Sequence, residues 1–237
     1  MKTLAVILHY ETCEFTERLY NQLKPYEENT YDLVILDNNS KNKPKYPYIS
    51  SPQNLFFGGG LNLTFQWVLD NKEYDSLLFL NSDLIVHGKN FVKALKSYLK
   101  EDYKIVSPSI IQPSLEQCYW PTMNNWYQKE IREVPWVDFQ CPLIHRDIIE
   151  TIKQYEDELL YGWGNDVYSG IICKENNWKI GVADIISAVH IGGGTIKKTN
   201  SKTYNAMANQ GMYSFFKKID KLDELDQMRN LARNYKL

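Results

Sequence analysis

A chain of 237 residues with 43% hydrophobic and 24% charged side chains has enough apolar material for a full core without disulfide or metal staples. Its formal net charge of −2 argues against a nucleic-acid partner and against strong electrostatic attraction to a membrane surface. Cys13, Cys118, Cys141 and Cys173 are scattered without CxxC spacing and read as free thiols. No export-like leader or membrane-length apolar run is recognisable, so a cytoplasmic protein is the expectation.

The run Leu4–Leu8 (LAVIL) predicts a strand buried on both faces. Phe15, Leu19 and Leu23 follow at helical spacing, and Pro25 closes that helix. Leu33–Leu36 (LVIL) predicts a second buried strand, so the opening reads as the strand–helix–strand unit of a parallel sheet. Lys41–Asn54 is broken by three prolines and leaves room only for a short strand at Tyr48–Ser50. Phe57-Gly58-Gly59-Gly60 opens a helical face made of Leu61, Phe65, Val68 and Leu69. Leu77–Leu80 predicts a strand, Phe91 to Leu99 a helix, and Lys104–Ser107 a further strand. After Pro108, prolines and tryptophans alternate over 109–145 and predict loops with antiparallel pieces laid on the first half. Helices are expected over Ile148–Tyr155 and Val167–Asn176, then a late strand (KIGVAD) and a separate strand-to-loop exit (ISAVHIGGGT). The tail from Tyr204 reads as helix with Phe215, Phe216, Ile219 and Leu222 on its apolar face. That face suits a membrane surface or a second copy of the chain, but packing on the chain's own core is the stronger expectation. The whole is expected to be one α/β domain: a nucleotide-binding half over 1–108, a smaller half over 109–198, and a helical tail over 199–237.

Ligands of open α/β sheets sit outside the carboxyl ends of the strands. Three polar clusters fall at such ends: His9-Tyr10-Glu11, Asp37-Asn38-Asn39-Ser40 and Asn81-Ser82-Asp83. Turn and cap chemistry explains any one of them, but all three together point to a shared ligand edge. Asp83 lies between apolar runs, and a carboxylate there needs a cation or several donors; a divalent ion on a diphosphate would supply the charge. The glycine run before a helix suits close approach of a phosphate or sugar, or a tight turn. Asp166 in GWGND reads as a helix cap or a general base. His190 before a glycine loop reads as structural, or as a metal or pyrophosphate contact. Lys197 and Lys198 beyond it suit phosphate or solvent, while His87 and His145 read as structural.

The order VILHYE, LVILDNNS, NLFFGGGLN, LLFLNSDLIV, GWGND, AVHIGGGT resembles the family 2 glycosyltransferases of GT-A fold, and the rhamnosyltransferase-like members most, over residues 4–198. The resemblance implies a mostly parallel central sheet with helices on both sides. It also implies inverting transfer of a sugar from a UDP- or dTDP-linked donor to a hydroxyl of a glycan, lipid-linked glycan or protein. Glu11 and Asp37 would hold the nucleoside with Tyr10 near the ring, and Asn39, Gly59, Asn62, Asn81 and Ser82 would line the donor pocket. Asp83 and His190 would bind Mn2+ or Mg2+ on the diphosphate. Asp166 would be the catalytic base, with Trp163 and Gly164 on the acceptor side. Asn81 replaces the first Asp of the family's metal motif, and Asn165 stands where an acid commonly precedes the base, leaving one carboxylate at each place. A sugar nucleotidyltransferase is the competing enzyme, disfavoured by the acidic, glycine-free LHYETCEFTERL. A binding relic of the fold is the competing non-enzyme.

Overall fold

The computed structural model describes residues 2–27, 30–100, 102–111, 120–192 and 201–236; Cys118, Lys197 and Lys198 lie outside the described residues. β1 (Lys2–His9), α1 (Cys13–Leu23) and β2 (Tyr31–Asp37) form the expected parallel unit, and β3 (Ile49–Ser50) extends it beyond β2. α2 (Phe56–Asp70) then returns the chain so that β4 (Tyr74–Asn81) pairs in parallel with the other side of β1. Strand order therefore reverses at β1, the topological switch point where α/β sheets bind ligands. Ala5, Val6 and Ile7 are wholly buried in this central strand, which is why its sequence is a continuous apolar run rather than an alternating one.

The second half continues the same sheet. Its elements are β5 (Leu84–Val86), α3 (Phe91–Lys96), β6 (Tyr103–Ile111), β7 (Ile131–Glu133), β8 (Leu143–His145), α4 (Arg146–Ile152), a 3-10 turn (Asp157–Leu159), α5 (Asn165–Glu175) and β9 (Lys179–His190). The strand order is β3-β2-β1-β4-β8-β6-β9-β5, with β7 added along β9. The long ladders (β1 with β2 and β4, β6 with β9) are parallel, and the short ones made by β5, β7 and β8 are antiparallel. His87 and His145 are structural: one meets the Ser187 hydroxyl, the other accepts from the Asp147 amide at the start of α4.

Several boundaries differ from the sequence reading for local reasons. β6 runs through Pro108 because its ladder with β9 is irregular between Pro108 and Ser109, where a missing N–H is tolerated. The late strand and the exit segment are one strand, β9, across the same irregularity. α4 stops at Ile152 because Lys153 is left-handed (φ 61°). The tail divides at Asp220, also left-handed (φ 56°), into α6 (Ser201–Lys218) and α7 (Leu222–Arg233). Both helices bury apolar side chains against the domain: Phe215, Phe216, Leu225, Met228 and Ala232 are at most 3% exposed. Among the described residues no helix is long and apolar enough to cross a membrane.

The glycine run lies inside the first turns of α2 and is buried. Gly58 donates its N–H to the Leu160 carbonyl at 2.7 Å, and a Cβ there would collide with the Leu159 carbonyl oxygen. Gly60 faces the Leu8 side chain at the end of β1. The glycines thus bring α2 onto the turn that leads to Asp166. Gly58→Ala should destabilise the fold by about 1–3 kcal/mol, since the obstacle is backbone that a side-chain rotation cannot relieve; urea unfolding will measure it.

Candidate active site

The register sets His9 opposite Asp37 and Leu8 opposite Asn81, so the three polar strand ends open on one edge. Asp37 is wholly buried and accepts from the Ser40 amide (3.1 Å), Lys43 Nζ (2.6 Å) and Ser50 Oγ (2.8 Å). Burial alone would raise its carboxyl, but these bonds outweigh burial and hold it below the usual range. Glu11, left-handed at φ 59°, accepts from the Lys41 and Asn42 amides at 2.6 and 3.2 Å. It too is held low against the opposing effect of desolvation. These two carboxylates fold the loop 40–50 over the strand ends. Lys43 reaches within 5.9 Å of the Tyr48 ring centroid, and half-buried Tyr10 follows β1 directly. Asn39 is exposed and left-handed (φ 57°), while its neighbour Asn38 is buried and ties this loop to Leu55 and Phe56 at the head of α2. His9 is buried between Thr16 Oγ1 and the Asn42 carbonyl.

Ser82 and Asp83 make the turn from β4 to β5. Ser82 Oγ meets Thr12 Oγ1 at 2.9 Å, fixing the turn to the start of α1. β5 pairs antiparallel with the end of β9, setting Leu84 opposite His190. That pairing carries Asp83 Oδ1 to 3.1 Å from His190 Nε2. Burial would lower the imidazole, yet the hydrogen bond and charge of Asp83, with Asp138 beyond, raise it above its ordinary value. Among the described residues no three His, Cys, Asp or Glu side chains converge as a cation cage. One buried carboxylate and one imidazole fit a divalent ion that takes its remaining ligands from substrate phosphate and water, rather than a self-sufficient protein site. Asn62 is turned away from this edge: its amide accepts from the Tyr155 N–H at 2.7 Å and donates to the Tyr155 carbonyl at 2.8 Å. Gly59 is buried against Leu55.

A cavity of about 460 Å³ lies beside this edge, walled by Trp120, Trp136 and Trp163, with Asp138, Asp166 and Arg229 opening into it. Gly164 (φ 92°) turns the chain so that Asp166 stands in the first turn of α5, its Oδ1 accepting from the Val167 amide at 2.8 Å. Gly164 also has no room for a side chain between Met212, Leu159 and Phe216. Trp163 is 40% exposed at the mouth. Asn165 is wholly buried; with its amide nitrogen turned inward it donates to the Leu159 and Gly162 carbonyls at 2.9 and 3.0 Å, which a carboxylate could not do.

The sequence reading missed Asp138. It lies between β7 and β8, and Gln140 Nε2 donates to its Oδ2 at 2.8 Å. Desolvation raises its carboxyl above the ordinary range, and the neighbouring Asp138 charge adds to the desolvation that raises Asp166. The second carboxylate absent from position 165 is therefore supplied by another segment. Its signal was legible: Asp138 sits within WVDF, flanked by apolar residues as Asp83 is.

The segment that follows Trp120 in the wall is held by a buried ion pair. Arg132 Nε and Nη2 reach Asp184 at 2.8–3.0 Å, and Nη2 also donates to the Thr122 and Asn124 carbonyls. Asp184 accepts in addition from the Trp126 and Gln128 amides at 3.0 and 3.1 Å. Asp184→Asn should cost about 3–5 kcal/mol because it strands a buried guanidinium. Denaturant titration followed by indole emission will report both the loss and the loosening of the wall.

No family model matches the chain. It is 21% identical over 206 residues to the low-salt glycan biosynthesis hexosyltransferase Agl10 of Haloferax volcanii, covering 78% of this chain and 66% of that protein, just under two thirds of its length. The structure of GalNAc-T7 with UDP, GalNAc and Mn2+ superposes with a TM-score of 0.64 at 13% identity, covering 81% of this chain and 44% of that one. S. aureus TarS 1-349 in complex with UDP-GlcNAc superposes with a TM-score of 0.61 at 16% identity, covering 84% and 61%. The chain has the GT-A fold of these glycosyltransferases.

Proposed function

We propose that this chain transfers a hexosyl group from a nucleoside-diphosphate sugar to an acceptor hydroxyl, with inversion at the anomeric carbon and Asp166 as general base. One observation carries the reading: Asp138 lies within electrostatic reach of both His190 and Asp166. The diphosphate end and the tryptophan-walled cavity are therefore two sides of one site, the layout a single displacement needs. The resemblance of the fold to proteins solved with UDP and with UDP-GlcNAc supports the donor class, as does the similarity to a hexosyltransferase of a halophile.

In this reading the nucleoside rests on the β1 and β2 ends, with Tyr10, Glu11, Asp37 and Asn39 shaping its pocket and Asn81 beside the ribose. Asp83 and His190 would hold Mn2+ or Mg2+, which when bound would supply positive charge to the departing diphosphate. Asp166 accepts the proton of the acceptor hydroxyl as its oxygen bonds to the anomeric carbon. The bond from that carbon to the diphosphate oxygen breaks, and its electron pair leaves with the diphosphate. Trp163 and Trp120 offer flat faces to the acceptor ring, and the cavity walls limit competing attack by water.

Two variants test this. Asp166→Asn should lower kcat by about 10²–10⁴ while donor binding, read by thermal shift with UDP, is retained; unchanged turnover would remove Asp166 from the mechanism. Asp138→Asn should move the acidic limb of the kcat/KM profile to lower pH, because the base must be unprotonated to act and loses the charge that helps raise it. The stability sign is the reverse of an ordinary salt-bridged acid. A carboxyl raised in the fold contributes stability below its unfolded value and loses it as pH rises through the folded value. Asp138→Asn should therefore flatten the fall in Tm between weakly acidic and alkaline pH.

A further inference from the structure

We infer that the acceptor carries an oxyanion, a carboxylate or a phosphate, recognised by Arg229 and Arg233 on α7; the inference rests on the glycosyl-transfer reading of this cavity. The two arginines are one helical turn apart on the same face of α7. Both guanidinium groups lie over the Trp120 ring, 5.9 and 5.4 Å from its centroid. That ring is fixed edge-on against buried Trp136 at 4.7 Å, and the Trp136 indole donates to the Met228 carbonyl at 3.0 Å. The platform therefore belongs to α7 as much as to the cavity wall.

Like charges at i and i+4 destabilise a helix, and among the described residues neither arginine is offset by an ion pair. Arg229 makes a single side-chain hydrogen bond, from Nη1 to Tyr213 Oη at 3.1 Å. Arg229 lines a cavity that also holds Asp138 and Asp166, and Arg233 stands over the Trp120 ring of the same wall. Desolvation and the Asp138 charge keep the Asp166 carboxyl above its ordinary value, while Arg229 rests on the indole and is the least of the influences on that carboxyl, which it lowers. A neutral acceptor needs only aromatic faces and hydrogen-bonding groups. Two stacked, unoffset arginines match a planar carboxylate or a phosphate, which they can grip bidentately.

The test uses the full chain with UDP and Mn2+ present and follows indole emission. The probes are a glucuronic-acid-terminated oligosaccharide, a sugar phosphate and a neutral oligosaccharide of equal size. At least one anionic probe should bind about tenfold tighter than the neutral one, and which one does so distinguishes a uronate from a phosphate. The preference should vanish in R229Q/R233Q and persist in part in R229K/R233K. R233Q alone, at an exposed position, should weaken it without risk to folding. Equal binding of charged and neutral probes, or a preference that survives R229Q/R233Q, overturns the inference. A UDP-induced rise in Tm is recorded separately. Its absence across nucleotides would count against the donor assignment, whereas the probe preference judges the arginines by itself.

Discussion

Three segments meet at the turn Asp157–Leu159 through glycines. Gly58 of α2 meets the Leu159 carbonyl, Gly164 meets the Leu159 side chain, and Gly211 of α6 is pressed against the Glu158 carbonyl. Any β-carbon at 58 or 211 would strike main-chain oxygen. α2 and α6 are therefore registered on one turn by main-chain contacts that side-chain rotation cannot adjust, and the loop that carries Asp166 packs on the Leu159 side chain of the same turn. Buried Asn165 completes the junction by donating to two carbonyls of the same stretch. The placement of Asp166 depends on this junction, since Gly164 and Asn165 immediately precede it.

The carboxylates divide into two groups by how their acceptor capacity is filled. Asp37, Glu11 and Asp184 each accept from several backbone or cationic donors. They serve to fold loops over the strand ends and against β9. Asp138 and Asp166 are met by no cation at bonding distance among the described residues, taking donors such as Gln140 Nε2 and the Val167 amide, and the Asp138 charge adds to the burial of Asp166. Burial without enough donors is costly for the ionised form, and the strain is relieved by protonation. The same residue type is thus a loop staple in one place and a raised, readily protonated carboxyl in another, and the donors around it decide which.

Much of this was readable from the sequence. Strands buried on both faces write themselves as continuous apolar runs, so β1, β2 and β4 and the polar clusters that end them were legible. Asp83 was singled out because an apolar run has no other reason to contain it, and its approach to His190 followed once β5 paired with β9. Other features were not legible, because their meaning lies in what approaches them from elsewhere. The glycines at 58–60 are compatible with cradling a phosphate or with meeting a carbonyl, and only the arrival of Leu159 and Leu160 decides. Asn62 looks like a pocket residue until Tyr155, 93 positions away, occupies both ends of its amide. Arg229 is one charge among many on a polar tail, distinguished only by Trp120 lying beneath it.

The C-terminal helices close one side of the cavity yet supply nothing to the strand ends where the nucleotide is proposed to rest. Met212 and Arg229 reach the cavity from α6 and α7, while among the described residues the proposed nucleotide edge is drawn from the first 83 residues and His190. On the proposed function, choice of acceptor and choice of donor are therefore separable in the primary structure. Exposed positions along α6 and α7 are free to drift under selection for a new acceptor without disturbing the parallel core. The glycine contact at 211 and the Trp136–Met228 bond set the limit to that drift, since they hold the helices in place. An exchange of acceptor preference between homologous chains would be made by moving the surface of this helical pair, with the sheet left as it is.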